Sequence, residues 1–555
     1  MGIGDILIRR GQVSQQLLAE LEALHRQSGQ RLDRLLIAQG KCSEEQVLSA
    51  LSEHLGLPMV NLADFQLERA VLDVLPARVV FRRTLMPLQQ TDGTLRVATC
   101  DPFDLYALDE VRLMTGLEIE PVLACREEIE KLIKAHYGVG GETIDALMDS
   151  SDLNAAATDV QSDDLLEQAE GASVIKLVNE FFLEALKERA SDIHIEPYER
   201  QLKIRYRIDG VLQETAVPPQ IQRFQSAIIS RIKIMANMNI AEKRLPQDGR
   251  IKLQVGPRQV DIRVSVIPML HGEGVVMRLL DKSSTMFTLK QLGMRSDTLD
   301  LFHQIITRPH GILLVTGPTG AGKTTTLYAA LHEIVSAAIK VITVEDPVEY
   351  HLDGVNQIQA QSQIGLTFGR ALRHILRHDP DVIMIGEIRD LETAEAAVQA
   401  SLTGHLVLST LHTNDACSSA TRLLDMGVEP FLVTSTLEAA MAQRLVRTIC
   451  PECREAYHPD RNSLPRDFAL EEGRMLYRGQ GCRKCRNTGY YGRTGLYELM
   501  SISDAVRDRI MSRSPADQIV SVAQKEGLRL LRQDGWLKVS EGITTPEEVI
   551  RATKA

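Results

Sequence analysis

"GILLVTGPTGAGKTTTLYAAL", residues 311 to 331, decides the fold of the second half of this chain. Gly311 to Thr316 is an apolar run of strand length, the residues from Lys323 onward suit a helix, and a glycine-rich turn joins them. Gly317, Gly322, Lys323 and Thr324 satisfy GxxxxGK[ST], a phosphate-binding loop in its required strand–loop–helix setting. Glycines let backbone N–H groups turn inward on phosphate oxygens, and the helix N-terminus adds positive partial charge. Lys323 is then placed to reach the β- and γ-phosphates and Thr324 to ligate magnesium. The expected nucleotide-binding residues are Gly317, Pro318, Thr319, Gly320, Ala321, Gly322, Lys323, Thr324 and Thr325, with ATP and Mg2+ as the ligands.

Three later stretches place polar residues at the ends of apolar runs. "VITVEDPVEY" (341 to 350) runs into Glu345 and Asp346, "DVIMIGEIRD" (381 to 390) into Gly386 and Glu387, and "GHLVLSTLHTND" (404 to 415) into Ser409, Thr410 and His412. In an open α/β sheet, ligands bind at the carboxyl ends of the strands. Taken alone, a carboxylate pair there also fits a solvated strand end, and a single histidine a structural role. Gly386 is unusual, because the magnesium-holding acid of such an ATPase normally ends the strand.

These segments, in this order, resemble the Walker A, aspartate, Walker B and histidine boxes of the secretion ATPase superfamily of type II secretion and type IV pilus motors. The resemblance extends from 171 to 555. Within the superfamily, "RPHGILLVTGPTGAGKTTTLYAAL", "LTGHLVLSTLHTNDA" and "LLDMGVEPFLVTSTLEAAMAQRLVR" are most similar to the type II secretion ATPases. In this superfamily the Walker B strand ends in Gly–Glu, so Gly386 follows the family pattern. The resemblance implies that Glu387 holds magnesium through water, that Glu345 polarises the attacking water, and that His412 contacts the γ-phosphate region. It also implies a cytoplasmic homohexamer held at the inner membrane by partners. Its N-terminal domain would meet the cytoplasmic domain of a bitopic secretion protein, and its core a polytopic platform protein.

Upstream, "ASDIHIEPYERQLKIRYRIDG" (190 to 210) and "SRIKIMANMNIAEKRLPQDGRI" (230 to 251) resemble the domain that precedes the motor core, whose arginines reach bound nucleotide when the domains close. Arg207, Arg231, Arg244 and Arg250 are the candidates by motif position, with a surface ion pair as the alternative for each.

"CPEC" and "CRKC" form C-x2-C-x28-C-x2-C from Cys450, Cys453, Cys482 and Cys485. Four thiolates in two close pairs suit a closed tetrahedral zinc site with no open position for chemistry. Redox pairs are the alternative, but those motifs usually stand singly beside a thioredoxin-like βαβ unit. Cys42, Cys100, Cys125 and Cys417 read as structural thiols.

A chain of 555 residues, 44% apolar, is long enough for several domains. The N-terminus lacks a basic region followed by an apolar core, and no window of about 18 apolar residues occurs, so a soluble cytosolic protein is expected. Formal net charge is −11, and no basic stripe is visible, which disfavours a nucleic-acid motor. "GDILIRRGQVSQQLL" (4 to 18) returns as "DRLLIAQGKCSEEQV" (33 to 47), aligning Leu7 with Leu36, Gly11 with Gly40 and Ser14 with Ser43. Two helical hairpins follow, with Ser43 and Gln46 as a capping box. The repeat also resembles a cyclic-di-GMP-binding repeat through Arg31–Leu32, Leu36 and Gly40. The first copy has Gly2 in place of the arginine and neither keeps the terminal glutamine, so a helical docking domain is preferred.

The expected fold is α/β and multi-domain. An N-terminal α/β docking domain spans 1–140, and an acidic linker with nine acidic and no basic residues spans 141–170. A PAS-like α/β domain (171–290), a RecA-like P-loop NTPase core (291–448), a tetracysteine zinc subdomain (449–490) and a helical C-terminus (491–555) follow. In the last helix, Thr545, Pro546 and Glu548 read as cap, first-turn proline and capping-box partner. The function that fits best is ATP hydrolysis coupled to pseudopilus assembly and protein export by type II secretion. Type IV pilus assembly is the alternative; a nucleic-acid motor and a cyclic-di-GMP-regulated scaffold rank below it.

Overall fold

The computed structural model describes residues 2–62, 65, 67–141, 143–144, 171–255, 258–281, 287–460, 464–471 and 473–553. Its contacts separate two units, Met1–Asp281 and Lys282–Ala555.

The first unit opens with four helices, α1 (Ile3–Arg9), α2 (Gln15–Ser28), α3 (Leu32–Ala38) and α4 (Glu44–Leu55), in which α1 packs on α4 and α2 on α3 as well as following one another in two similar pairs. The sequence repeat is a repeat of local physics. Ser14 and Ser43 accept from the backbone N–H groups three residues on, at 3.2 Å in both copies, and Gln46 completes the capping box. Gly11 and Gly40 turn the chain in the left-handed region, where a side chain would be strained. Next comes a three-stranded sheet of β1 (Leu85–Thr91), β2 (Thr94–Thr99) and β3 (Glu118–Leu123). Helix α5 (Leu105–Thr115) makes the parallel crossover from β2 to β3, and α6 (Arg126–Tyr137) follows.

The rest of this unit is α7 (Ala172–Lys187), β4 (Asp192–Pro197), β5 (Leu202–Ile208), β6 (Val211–Thr215), α8 (Gln225–Met235), β7 (Gln247–Val255), β8 (Arg258–Met269) and β9 (Gly272–Asp281). Its strands pair antiparallel in the order β6-β5-β4-β9-β8-β7. Phe181, Phe182, Ile228 and Ile232 of the helices share a core with Ile193, Ile204, Tyr206, Ile262 and Val264 of the sheet. The linker does not begin at 141. Ile144 is 1% exposed in this core, and the Thr143 hydroxyl donates to Glu180, because an apolar side chain there finds the α7 surface. Residues 145–170, the rest of that acidic segment, lie outside the described residues.

The second unit is built on a seven-stranded sheet, ordered β12-β11-β13-β14-β10-β15-β18. In chain order its elements are α9 (Ser296–Ile306), β10 (Gly311–Thr316), α10 (Lys323–Ile334), β11 (Val341–Glu345), β12 (Val355–Gln359), α11 (Phe368–Ile375), β13 (Val382–Ile385), α12 (Leu391–Leu402), β14 (Leu406–Leu411), α13 (Cys417–Asp425), α14 (Pro430–Thr436) and β15 (Leu437–Ile449). The hairpin strands β16 (Arg454–Tyr457) and β17 (Leu476–Gly479), then β18 (Tyr490–Ser501), come next. The first six strands in that spatial order are parallel, and β18 closes the edge antiparallel to β15. Both faces are covered: Ile312 and Leu314 of β10 enter one core, Leu313 and Val315 the other. That is why these strands read as continuous apolar runs.

Two C-terminal expectations change. Residues 490–501, taken as the end of the zinc subdomain and the start of a helical region, form a strand of the core sheet. Leu496 to Met500 are buried without interruption, so no alternation marks them as a strand. Helices α15 (Asp504–Met511), α16 (Ala516–Lys525), α17 (Leu531–Ser540) and α18 (Pro546–Thr553) complete the unit. Glu548 is not a capping-box partner. Its carboxylate accepts from the Arg447 backbone at 2.9 Å and from the Arg447 and Arg551 guanidinium groups, and two cations hold it more strongly than one N–H could. Thr545 pairs instead with the Tyr490 hydroxyl, 2.8 Å away.

Candidate functional site

The loop after β10 adopts the shape its glycines permit. Gly320 and Gly322 stand in the left-handed region, and a Cβ on Gly317 would fall 2.6 Å from the Gln443 carbonyl oxygen. Strand β15 therefore backs the loop, and the Thr326 hydroxyl donates to the Gln443 side chain at 2.8 Å. Lys323 folds over the loop and donates to Gly317 O at 2.8 Å and Pro318 O at 3.1 Å. Burial lowers its pKa, a shift that the charge of Glu387 opposes. Thr324 and Thr325 lie half-buried in the first turn of α10.

Arg444 is a member of this site that motif reading missed. It lies half-buried against Gly317, with Nη1 3.1 Å from the Cβ position of that glycine. Its guanidinium donates only to neutral acceptors: Gln443 O, Asn414 O and Asn414 Oδ1, at 3.0–3.2 Å. Burial depresses its pKa, against the pull of Glu498 and Asp415. Lys323 and Arg444 thus form two cations on one glycine loop, neither with a carboxylate at ion-pair distance among the described residues. The available signal was an arginine in a segment that the strand order brings behind the loop, which no local motif encodes.

Two strand tips meet at Glu387 and His412, whose Nε2 lies 3.0 Å from Glu387 Oε2. Arg389 pairs with the other carboxylate oxygen. Burial pushes the Glu387 carboxyl up, but Arg389 and His412 outweigh it and hold it below the usual range. Hydroxyls of Ser409 and Thr410 donate to Ile385 O and Gly386 O, locking the β14 tip to the β13 tip. At Gly386, a Cβ would stand 3.4 Å from Glu345 Cα, Val344 O and the Phe368 ring, an ordinary contact distance. Glu345 is only 3% exposed, at the end of β11, and its carboxylate is held by Tyr328, Thr343 and Gln357.

In the first unit, the candidate arginines separate. Arg207, Asp192, Arg278, Arg263 and Arg250 are successive cross-strand partners on β5, β4, β9, β8 and β7, so they form one row on the sheet face turned away from α7 and α8. Asp192 neutralises part of it, 3.0 Å from Arg278 Nε and 3.7 Å from Arg207 Nε. Like charges directly opposite one another destabilise a sheet, and Asp192 between Arg207 and Arg278 offsets part of that cost. Arg263 and Arg278 were missed because sequence distance hides register. The same register assembles a basic row where the sequence showed no stripe. Arg231 and Arg244 are not in the row: Arg231 Nε is buried with no hydrogen-bond partner among the described residues, and Arg244 is 88% exposed and clasped by Glu242. Arg31, the arginine of the N-terminal repeat, pairs with Asp33 and Asp101 and covers the Phe103 ring at 4.2 Å.

Beside β16 and β17, the sulfur atoms of Cys450, Cys453, Cys482 and Cys485 lie within 4.8 Å of one another. Three of the separations are 3.7 Å. Four sulfurs around zinc, each about 2.3 Å from it, would stand about 3.8 Å apart. Backbone N–H groups of Cys482 and Gly489 donate to Cys485 Sγ, as thiolate ligands require. The donor set and spacing fit a tetrahedral thiophilic metal.

A glycine loop at the carboxyl edge of a parallel sheet, with Glu387 and His412 on neighbouring strand tips, defines a RecA-like P-loop ATPase. The family model for type II/IV secretion system proteins matches residues 167–551, and the chain belongs to that family. A second model, the MshEN domain, matches residues 55–143, after the helical repeat. The chain is 46% identical to the type II secretion system protein E of Xanthomonas campestris pv. campestris, across 100% of this chain and 98% of that one. It is 42% identical to the type IV pilus assembly ATPase PilB of Myxococcus xanthus, across 99% and 98%. Among solved structures, the Legionella pneumophila ATPase DotB shares the fold at 21% identity and a TM-score of 0.51, over 67% of this chain and 93% of that one. No helix among the described residues is long and apolar enough to cross a membrane.

Proposed function

We propose that this chain hydrolyses ATP to drive pseudopilus assembly and protein export in a type II secretion system. The observation that carries the nucleotide reading is the pair Lys323 and Arg444, desolvated cations on a glycine loop whose only bonded partners are carbonyl oxygens. A polyphosphate is the missing counter-ion. Thr324 and Glu387 hold Mg2+, His412 reads the γ-phosphate region through its bond to Glu387, and Glu345 polarises the attacking water. Phosphoryl transfer needs chiefly positioning and charge stabilisation, which such a division supplies.

The chain works as a homohexamer on the cytoplasmic face of the inner membrane. Its N-terminal domain holds the cytoplasmic part of a bitopic secretion protein, and its core meets a polytopic platform protein. Cells whose only copy carries Lys323→Ala test this: exported proteins are expected to accumulate in the periplasm while surface pili persist. Loss of pili with normal export would instead support pilus assembly, the reading that the full-length match to the pilus ATPase favours.

Arginines of the first unit complete the site of a neighbouring copy, and the cross-strand row shifts the choice to Arg207, Arg250, Arg263 and Arg278. Arg263→Ala and Arg278→Ala are each expected to lower steady-state turnover by at least about tenfold, with nucleotide affinity of the isolated chain kept. Specific activity of the unaltered chain should climb with protein concentration. Turnover unchanged in both variants would remove the row from the mechanism.

The four cysteines hold one zinc ion as a structural clamp. Elemental analysis of the purified chain is expected to give one zinc per protomer, and Cys453→Ser to lose it and lower the melting temperature. A zinc-free, equally stable protein would contradict the assignment.

A further inference from the structure

The carboxylate of Glu345 is held by more than its own strand. Oε1 accepts from the Thr343 hydroxyl at 2.6 Å and from Gln357 Nε2 at 3.2 Å, and Oε2 accepts from the Tyr328 hydroxyl. Those donors come from β11, from the sheet-edge strand β12, and from α10, the helix that starts at Lys323. A carboxylate offers about four acceptor positions. Among the described residues three are filled, and the one left is on Oε2.

Each donor is itself fixed. Tyr328 and Thr343 have no exposed surface, so water cannot take their place. The Tyr350 ring stands edge-on to Tyr328, centroids 4.6 Å apart. The Gln357 amide is oriented at both ends, accepting from Leu352 N at 2.9 Å and donating to Tyr350 O at 3.1 Å. That leaves the carboxylate one rotamer.

We propose that Tyr328 and Gln357 are positioning residues that hold Glu345 in this rotamer, with its single open acceptor position kept for the attacking water. This rests on the role given to Glu345 above. Neither residue touches the nucleotide, and both act through the carboxylate. Because Tyr328 belongs to the phosphate-loop helix, the direction of that open position is set relative to the loop that binds the phosphates.

Tyr328→Phe removes the hydroxyl and keeps the ring. In the full-length protein it is expected to lower kcat roughly ten- to hundredfold, the loss of one hydrogen bond to a charged group, with the KM for ATP and the affinity for a fluorescent ADP analogue unchanged. Gln357→Leu should act in the same direction. Introduced into Glu345→Gln, Tyr328→Phe should cause no further loss, since its effect passes through that carboxylate. Wild-type kcat in both single variants, or an equal fractional loss in the Glu345→Gln background, would overturn the positioning role while leaving Glu345 in place. Full turnover in Glu345→Gln alone would remove both readings.

Discussion

Lys323→Ala is expected to lower ATP turnover by roughly a hundred- to thousandfold, the range seen when a preorganised charge-stabilising donor is removed. The ammonium already sits over the loop, on Gly317 O and Pro318 O, in a half-buried place where a cation is costly unless phosphate arrives. Nucleotide affinity should fall as well, by about ten- to hundredfold, because this cation meets ATP in the ground state as well as in the transition state. Arg444 remains as the second cation, so binding weakens without vanishing. Steady-state turnover together with titration of a fluorescent nucleotide checks this. Normal affinity in the variant would mean that the loop does not use its lysine.

The second large effect separates binding from chemistry. Glu345→Ala is expected to bind ATP with Mg2+ normally and to lose turnover by about two to four orders of magnitude, the usual contribution of a positioned base. Glu345 is 3% exposed and its carboxylate hydrogen-bonds to Tyr328, Thr343 and Gln357 and, among the described residues, to no residue of the glycine loop, so ground-state affinity has no reason to change. Single-turnover hydrolysis beside equilibrium binding distinguishes the cases. Unchanged turnover would sink the assignment, and lost affinity would move Glu345 into the binding set. In Lys323→Ala both quantities fall, and in Glu345→Ala only one does.

The two variants also mark where local sequence was sufficient. Lys323, Thr324 and the glycines are neighbours in the chain, and their geometry follows from three left-handed or crowded backbone positions that only glycine fills. Glu387 and His412 meet because strand tips of a parallel sheet lie on one edge, while the roles expected of them came from the family resemblance. The donors around Glu345 were not legible, because Tyr328 and Gln357 reach it from other elements. Leu437–Ile449 makes the limit plain. "LEAAMAQRLVRTI" is rich in helix formers, yet it is a strand, since β10 on one side and β18 on the other offer hydrogen bonds that local propensity cannot outweigh.

By itself, the sequence determined the P-loop, the order of the strand-tip residues, the cysteine quartet and the capped helical repeat, because each depends on residues a few positions apart. Only the tertiary structure decided that residues 490–501 close the sheet, that Glu548 clasps Arg447, that Arg444 stands against the phosphate loop, and that arginines from four strands share one row. Those depend on register and strand order, which are set by burying two sheet faces at once and leave no periodic trace in the chain.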